Sequence, residues 1–431
     1  MKVRRFEWEG ADATAHELRD WAFKEVFGEH SHREIFDGVR EIAGRVFGER
    51  DAALLDLTRQ YDGVALTPEQ LRVNPRDAEE ALRGLDSAQR EAMELAAANI
   101  RLVAEAQIPA VTPAVELPQG QTVSVRDVAV SVAGIYAPGG RATYPSTVLM
   151  CAIPAQVAGV KRIVLVSPPR ESGRPSEPIL AAAAFCGIEE IYAVGGAQAI
   201  FGLAYGTDTV PRVDVIVGPG NSWVQEAKRQ AFGEVGIESF AGPSELMVIA
   251  GHDADSEWIA LDLCAQAEHG SDSPLVVAAV EEHVLDAIES AVASLVESRE
   301  SVTDAPFALV QVPDAEAAID LANSYAPEHL ELVEEDAGLL AGRVTTAGCV
   351  FLGRYGATAF GDYVAGSNHV LPTSGSGAYA GPLGPGIFRR KISTVEVPAA
   401  AAAKLAPHVD VLARAEGLPV HGESAMIRTK S

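Results

Sequence analysis

The sequence predicts an α/β protein built on parallel sheets and divided into two or three domains. Three observations carry this expectation. The chain has 431 residues, more than one ordinary domain, and 48% of them are hydrophobic, enough for a large core. From about residue 130, short β-branched runs alternate with alanine-rich helical stretches. That is the rhythm of βαβ units, because parallel strands need a crossover connection. Several of the runs end in glycine-rich turns that lead towards a helix, the place where an open α/β sheet takes its ligands.

In chain order, the opening "MKVRRFEWEGADATAHELRD" has Arg4 and Arg5 but no apolar core after them, so it does not read as a secretory signal. From residue 33 to about 107 the apolar residues recur at helical spacing. Ile35, Phe36, Val39, Ile42 and Val46 form one stripe, and an Ala/Glu/Arg-rich segment from 78 to 107 forms another. The alternating region then runs "SVAGIYAPGG", "STVLMCAIPAQVAGV", "RIVLVSPP", "EPILAAAAFCG", "IYAVGG", "AQAIFGLAYG", "DVIVGPGN" and "SWVQEAKRQAFGEVG". A further mixed region extends from "LMVIAG" (246–251) to "VFLGR" (350–354). "PTSGSGAYAGPLGPG" (372–386) is a loop or linker by composition. After it come a short strand, "STVEV", an alanine-rich helix around 398–414 and a polar tail; no internal repeat is evident.

Lys and Arg number 34 against 60 Asp and Glu, a formal net charge of −26. A basic surface able to hold nucleic acid is not expected in such a field; the acidic excess itself reads as solubility or a salt-adapted host. The four cysteines, Cys151, Cys186, Cys264 and Cys349, are far apart and sit among apolar neighbours, the usual setting of buried thiols in a reducing compartment. No run approaches the length of a membrane span. A cytoplasmic protein with no membrane partner is the expectation.

Within "YAPEHLEL" (325–332) an acid and a base stand side by side, Glu328 and His329. Two polar residues often meet at a segment end by accident; the other reading is that both enter one pocket and move protons there. The glycine turns at 134–140, 193–200 and 216–221 could bring backbone N–H groups to a phosphate. Such turns alone are more often simply tight turns. No G-x-G-x-x-G, Walker A or G-x-S-x-G sequence occurs. In "AQAEHG" (265–270), Gln266 and His269 lie three apart and share a face if the segment from Trp258 is helical. An amide oxygen and an imidazole could then both reach a metal, though most such pairs bind none. "GDYVAGSNHVLPT" (361–373) offers Asp362 and His369, and "RAEGLPVHGES" offers Glu416 and His421. Turn formation and solvation account for these equally well.

Taken together, "YPSTVLM", "VGGAQAI", "GPGN" with its following "W-V-x-x-AK", "AGPSE", "QAEHG", "APEHLEL", "GDYVAGSNHVLPT" and "RAEGL-x-x-H" resemble the histidinol dehydrogenase family in order and spacing. The resemblance implies two incomplete Rossmann-like parallel-sheet domains with small N-terminal and C-terminal segments, assembled as an intertwined homodimer. The divisions it implies are an N-terminal helical segment, 1–30; a discontinuous catalytic domain, 31–135 and 246–383; an NAD-binding domain, 136–245; and a C-terminal dimerisation tail, 384–431. The implied reaction is oxidation of L-histidinol to L-histidine through histidinal, the last step of histidine biosynthesis, with NAD and one zinc ion per subunit. Implied zinc ligands are Gln266, His269 and Asp362, with His421 contributed by the partner chain. The implied proton-transfer pair is Glu328 and His329, and NAD would contact Tyr136, Gln198 and Asn221. Substrate would meet Ser244, His369 and Glu416, along with His329 and the four zinc ligands.

Elementary chemistry agrees with these roles. An N/O donor set without cysteine suits zinc, which would orient the substrate rather than carry electrons. Loss of hydride from an alcohol needs a base for the hydroxyl proton, a role for histidine. The second oxidation needs water added to an aldehyde, a role for the adjacent carboxylate. Pro327 is expected to turn the chain so that both side chains face the pocket, since neighbours in a regular strand point apart. The chain departs from the family pattern at Ala357-Thr358, at "DSP" (272–274) and after "LPT", all around the substrate loop. Three other readings are a paralogue oxidising a different polar alcohol, such as a sulfonated diol; a cysteine-dependent aldehyde oxidiser; and a non-catalytic binding protein, which would leave all eight blocks of site residues idle.

Overall fold

The computed structural model describes residues 1–27, 31–139, 143–239 and 244–429. Gly140 of the first glycine turn and Ala241, Gly242 and Pro243 of "AGPSE" lie outside the described residues. The chain divides into two units, Met1–Gln107 with Ser131–Phe388, and Ile108–Val130 with Arg389–Ser431.

The first unit contains two parallel sheets, as the α/β rhythm predicts. In the six-stranded sheet the order is Lys2–Phe6, Pro306–Gln311, Leu275–Ala279, Leu246–Ala250, His329–Val333 and Cys349–Leu352, every neighbour parallel. Its central strands are apolar without interruption because helices cover both faces. Alternate residues of one strand therefore feed different cores. Met247 and Ile249 pack with Leu18, Trp21, Ile319 and Leu321 on one side. Leu246, Val248 and Ala250 pack with Ile259, Leu263, Leu285 and Ile288 on the other. Each fully buried aliphatic side chain of this kind contributes about 1.5–3 kcal/mol.

The five-stranded sheet runs Glu190–Ala193, Arg162–Ser167, Val132–Tyr136, Val215–Val217 and Gly236–Ile237, again all parallel. The predicted stripe of Val39, Ile42 and Val46 packs on this sheet, with Leu54, Leu57, Ile200 and Phe201. Residues 31 to 61, which the resemblance groups with the 246–383 sheet, thus share a core with the 136–245 segment. The N-terminal segment also differs from a purely helical one. A strand, Lys2–Phe6, precedes the helix Ala11–Phe27 and adds to the edge of the six-stranded sheet.

The second unit has an antiparallel sheet ordered Arg389–Glu396, Thr122–Ala129, Val115–Glu116, followed by helices Ala399–Ala415 and Pro419–Met426. It leaves several large apolar side chains exposed: Val111, Val395, Val411, Leu412, Val420 and Ile427.

Candidate active site

The predicted proton-transfer pair is placed by the end of a helix. Ala315–Tyr325 stops at Ala326, which adopts a left-handed φ of 49° although it is not glycine. Pro327 follows and the strand begins at His329. Glu328 therefore lies one residue before the regular pleat, so it need not point away from its neighbour. Backbone bonds pin the junction: Gly348 N–H donates to the Pro327 carbonyl, Cys349 N–H to that of Glu328, and His329 N–H to that of Glu245.

Both side chains are buried and paired. Oε2 of Glu328 accepts from the Ser244 hydroxyl and the Glu245 N–H, each at 2.7 Å, and lies 3.3 Å from His329 Nδ1. Nδ1 is also 3.0 Å from the Glu245 carbonyl oxygen, while Nε2 lies 3.9 Å from Oδ1 of Asp362. A carbonyl only accepts, so Nδ1 carries a proton and Nε2 faces Asp362. Burial opposes charge on both groups, yet the pair overcomes it. The imidazole is held up at about 9 by Glu328, Asp362 and the Glu245 carbonyl, and Glu328 is held below its usual value by His329, Ser244 and the Glu245 N–H. These surroundings favour an imidazolium–carboxylate pair.

Around this pair the structure gathers most of the predicted residues. A cavity of about 250 Å³ is lined by Ser244, His269, Glu328, His329, Asp362 and His369. Gln266, at the end of helix Ser256–Ala267, is buried, and its amide nitrogen donates to the Ser244 hydroxyl at 2.5 Å. The amide oxygen is therefore the end a cation could use. His269 stands just beyond that helix and stacks on Tyr144, with ring centroids 6.2 Å apart. His369 is the predicted substrate contact whose nitrogens are both engaged. Nδ1 donates to the Asp362 carbonyl at 2.9 Å and Nε2 meets the Thr147 hydroxyl at 3.0 Å. Burial pushes this imidazole down, so it is neutral. Glu416 and His421 belong to the second unit, where both are exposed; the cavity described here is built from the first unit alone.

The three residues predicted to hold NAD also share one space. A second cavity, of about 670 Å³, is lined by Tyr136, Gln198 and Asn221 together with Asp62, Arg170 and Trp223. Tyr144, His269 and Asn221 line both cavities, so the two meet there. The amide nitrogen of Gln198 is buried with no partner, and the helix Gly196–Tyr205 starts without a side-chain cap. Both features leave donors for a polar ligand. Asn221 caps the helix Ser222–Ala231 through its side-chain oxygen, leaving its amide nitrogen for a ligand.

The loop bearing Asn221 is held by a buried pair that the sequence did not single out. Lys228 Nζ donates to Glu238 Oε1 at 2.5 Å and to the Gly218 carbonyl at 3.1 Å, and Gly218 N–H donates to the same Glu238 oxygen. Gly218 has φ of 118°, and a Cβ there would stand 2.1 Å from the Tyr136 carbonyl oxygen. Gly218→Ala is therefore expected to cost roughly 2–5 kcal/mol, strain and overpacking together. Gly44→Ala, in open space on helix Ser31–Glu49, should be neutral or slightly stabilising. Denaturant midpoints for the two variants check this; equal midpoints would show that the close approach carries no cost.

As metal donors, His269, Asp362 and Gln266 supply one imidazole, one carboxylate and one amide oxygen, a set suited to zinc or a similar borderline cation. Among the described residues no group of three or more His, Cys, Asp and Glu comes together to hold a metal. Three carboxylates, Asp272, Glu328 and Asp362, line the cavity. All four cysteines are unpaired, and burial pushes their thiols up, Cys186 to about 12 and Cys349 to about 11. None is activated as a nucleophile, which counts against a cysteine-dependent aldehyde oxidiser.

A family model described as histidinol dehydrogenase matches residues 27–429. The chain is 42% identical to a histidinol dehydrogenase of Nitrosomonas europaea over 402 residues, covering 92% of this chain and 93% of the other. It is 44% identical to one from a Synechococcus strain over 412 residues, covering 93% of each. Among solved structures, a histidinol dehydrogenase from Elizabethkingia anophelis superposes with a TM-score of 0.88 at 32% identity, over 100% of this chain and 98% of that one.

Proposed function

Since the chain belongs to the histidinol dehydrogenase family, oxidoreductases of histidine biosynthesis, we propose that it carries L-histidinol through histidinal to L-histidine in one site, with NAD as hydride acceptor and zinc as the bound metal. The observation that supports this most is the buried Glu328–His329 pair in a small cavity that opens on the larger one at Tyr144, Asn221 and His269. Substrate would occupy the small cavity. The nicotinamide would enter from the large one, along Tyr136, Gln198 and Asn221.

The geometry supports a division of proton work. Nε2 of His329 is the ring nitrogen on the Asp362 side, so it would take the hydroxyl proton as hydride leaves for NAD. It must first give up the proton of the resting pair, and positive charge brought against Asp362 removes part of that proton's support. Glu328, fixed by Ser244 and the Glu245 N–H, would then polarise the water that adds to the aldehyde. Gln266, His269 and Asp362, with His421 of the partner subunit, would hold the zinc; when bound, it would orient the imidazole and amino nitrogens of the substrate. Ser244 and Glu416 would contact substrate directly. A contact from His369 would take the place of its bond to the Thr147 hydroxyl.

Dimerisation through the second unit is supported by its exposed large apolar side chains, Val395, Val411, Leu412, Val420 and Ile427. Large apolar side chains left in water favour burial against a partner. No helix among the described residues is long and apolar enough to cross a membrane, and the four unpaired cysteines fit the cytoplasm as the compartment we assign.

The test is stoichiometric. Zinc-loaded protein should form two NADH per L-histidinol consumed and release little histidinal. One NADH per substrate, or no turnover of histidinol, would replace this reading with a dehydrogenase of another polar alcohol.

A further inference from the structure

We infer that Glu331 is a positioning residue that sets the carboxylate of Asp362 for the bound cation, an inference that rests on the reading of Asp362 as a metal ligand. Glu331 lies two residues after His329 in the strand His329–Val333, on the same face of the pleat. It is buried, with 1% of its surface exposed. Its Oε1 accepts from the backbone N–H of Thr358 at 3.0 Å. Thr358 opens the short helix Thr358–Tyr363, and Asp362 stands one turn further on. The helix's own N-cap, Ala357, offers no side-chain acceptor. The capping oxygen comes instead from the neighbouring strand, so the helix start is tied to the element that carries His329.

Asp262 completes the arrangement from a third element. It stands on the helix Ser256–Ala267, one turn before Gln266, and its charge acts on Glu331. Glu331 alone ties its strand to the helix bearing Asp362, while Asp262, one turn from Gln266, acts on it by charge. Burial, together with the Asp262 charge, raises Glu331 to about 8, against the Thr358 N–H and His329, which lower it; burial raises Asp262 to about 6. At neutral pH Glu331 is mostly protonated. A neutral acid still caps Thr358 through its carbonyl oxygen, but it competes poorly with Asp362 for a cation. The second oxygen, Oε2, has no hydrogen-bond partner, so Glu331 is held by its cap and not by a wider network.

Zinc affinity, measured by competition with a chromophoric chelator, tests this apart from turnover. NAD binding and thermal midpoint are recorded on the same full-length protein. Glu331→Ala should weaken zinc by about 10–100-fold, the usual effect of losing a group that orients a ligand, and leave NAD affinity within about twofold. Glu331→Gln keeps an acceptor oxygen and lacks charge, so it should hold zinc within about threefold of wild type. Thr358→Pro removes the donor, along with the buried threonine side chain, at a first-turn position where proline suits a helix, and should weaken zinc as the alanine variant does. That variant decides the matter if Glu331→Ala does not fold. Wild-type zinc affinity in both Glu331→Ala and Thr358→Pro would overturn the inference. So would a Glu331→Gln protein as weak as the alanine variant, because charge and not capping would then be at work. A wild-type protein that binds no zinc overturns the metal reading itself, and the inference with it.

Discussion

Replacing His329 by glutamine should lower the rate of histidinol oxidation by about 10²–10⁴-fold, the range spanned by a positioned general base. Glu328→Gln should lose less on histidinol and more on supplied histidinal. The asymmetry comes from where each group stands. His329 turns Nε2 towards Asp362 and the cavity, where a substrate hydroxyl can reach it. Glu328 has one oxygen committed to Ser244, the Glu245 N–H and the imidazole, leaving the other for water. Glutamine preserves an acceptor for Ser244 and the Glu245 N–H, so the loss should reflect lost basicity more than collapse of the site. Each variant is assayed on both substrates with zinc and NAD saturating. Equal fractional losses on alcohol and aldehyde would show that the pair acts as one unit, and the division of labour would be wrong.

Two inactive proteins should recover activity when mixed. His269→Ala and His421→Ala each remove one proposed zinc ligand, one from either unit of the chain. If His421 serves the partner's site, a mixed dimer has one site missing both histidines and one missing neither. A C2 interface exchanges the same residue both ways. Random pairing after joint unfolding and refolding with zinc makes half the dimers mixed, so about a quarter of wild-type activity should return. If His421 completed the site of its own chain, every site would lack one histidine and the mixture would stay dead. Recovery no greater than that of the separate mutants would refute the crossing segment while leaving the zinc assignment standing.

Much of the fold was legible because burial on both faces writes itself into sequence. Strands such as Leu246–Ala250 and Leu275–Ala279 are covered above and below and read as unbroken apolar runs. Lys2–Phe6 was not legible, since four of its five residues are exposed and three are basic. Charge on an edge strand disguises it. Thr122–Ala129 was missed for a different reason: its partner, Arg389–Glu396, lies more than 260 residues further on. The helices at 31–61 were legible as helices, but an amphipathic stripe does not say which sheet it will cover. Within the site, Glu328, His329, Gln266, His269 and Asp362 were found through the resemblance of their motifs. Glu245, Glu331 and Lys228 were not. A lone acid in an apolar strand or a lysine on a helix looks accidental until the fold brings the Thr358 N–H to Glu331 and the Gly218 carbonyl to Lys228.

The first strand of the chain has a consequence for synthesis. Lys2–Phe6 leaves the ribosome long before its neighbour in the sheet, Pro306–Gln311. At roughly 5–20 residues per second, it waits about 15–60 s for that partner to emerge. The five-stranded sheet, complete by Ile237 together with the helices that cover it, can collapse on the growing chain during the wait. Lys2, Arg4 and Arg5 keep the waiting segment soluble and discourage pairing with another nascent chain. The same charges that hid this strand in the sequence thus suit it to stay unpaired in a crowded cell until the rest of its sheet is made.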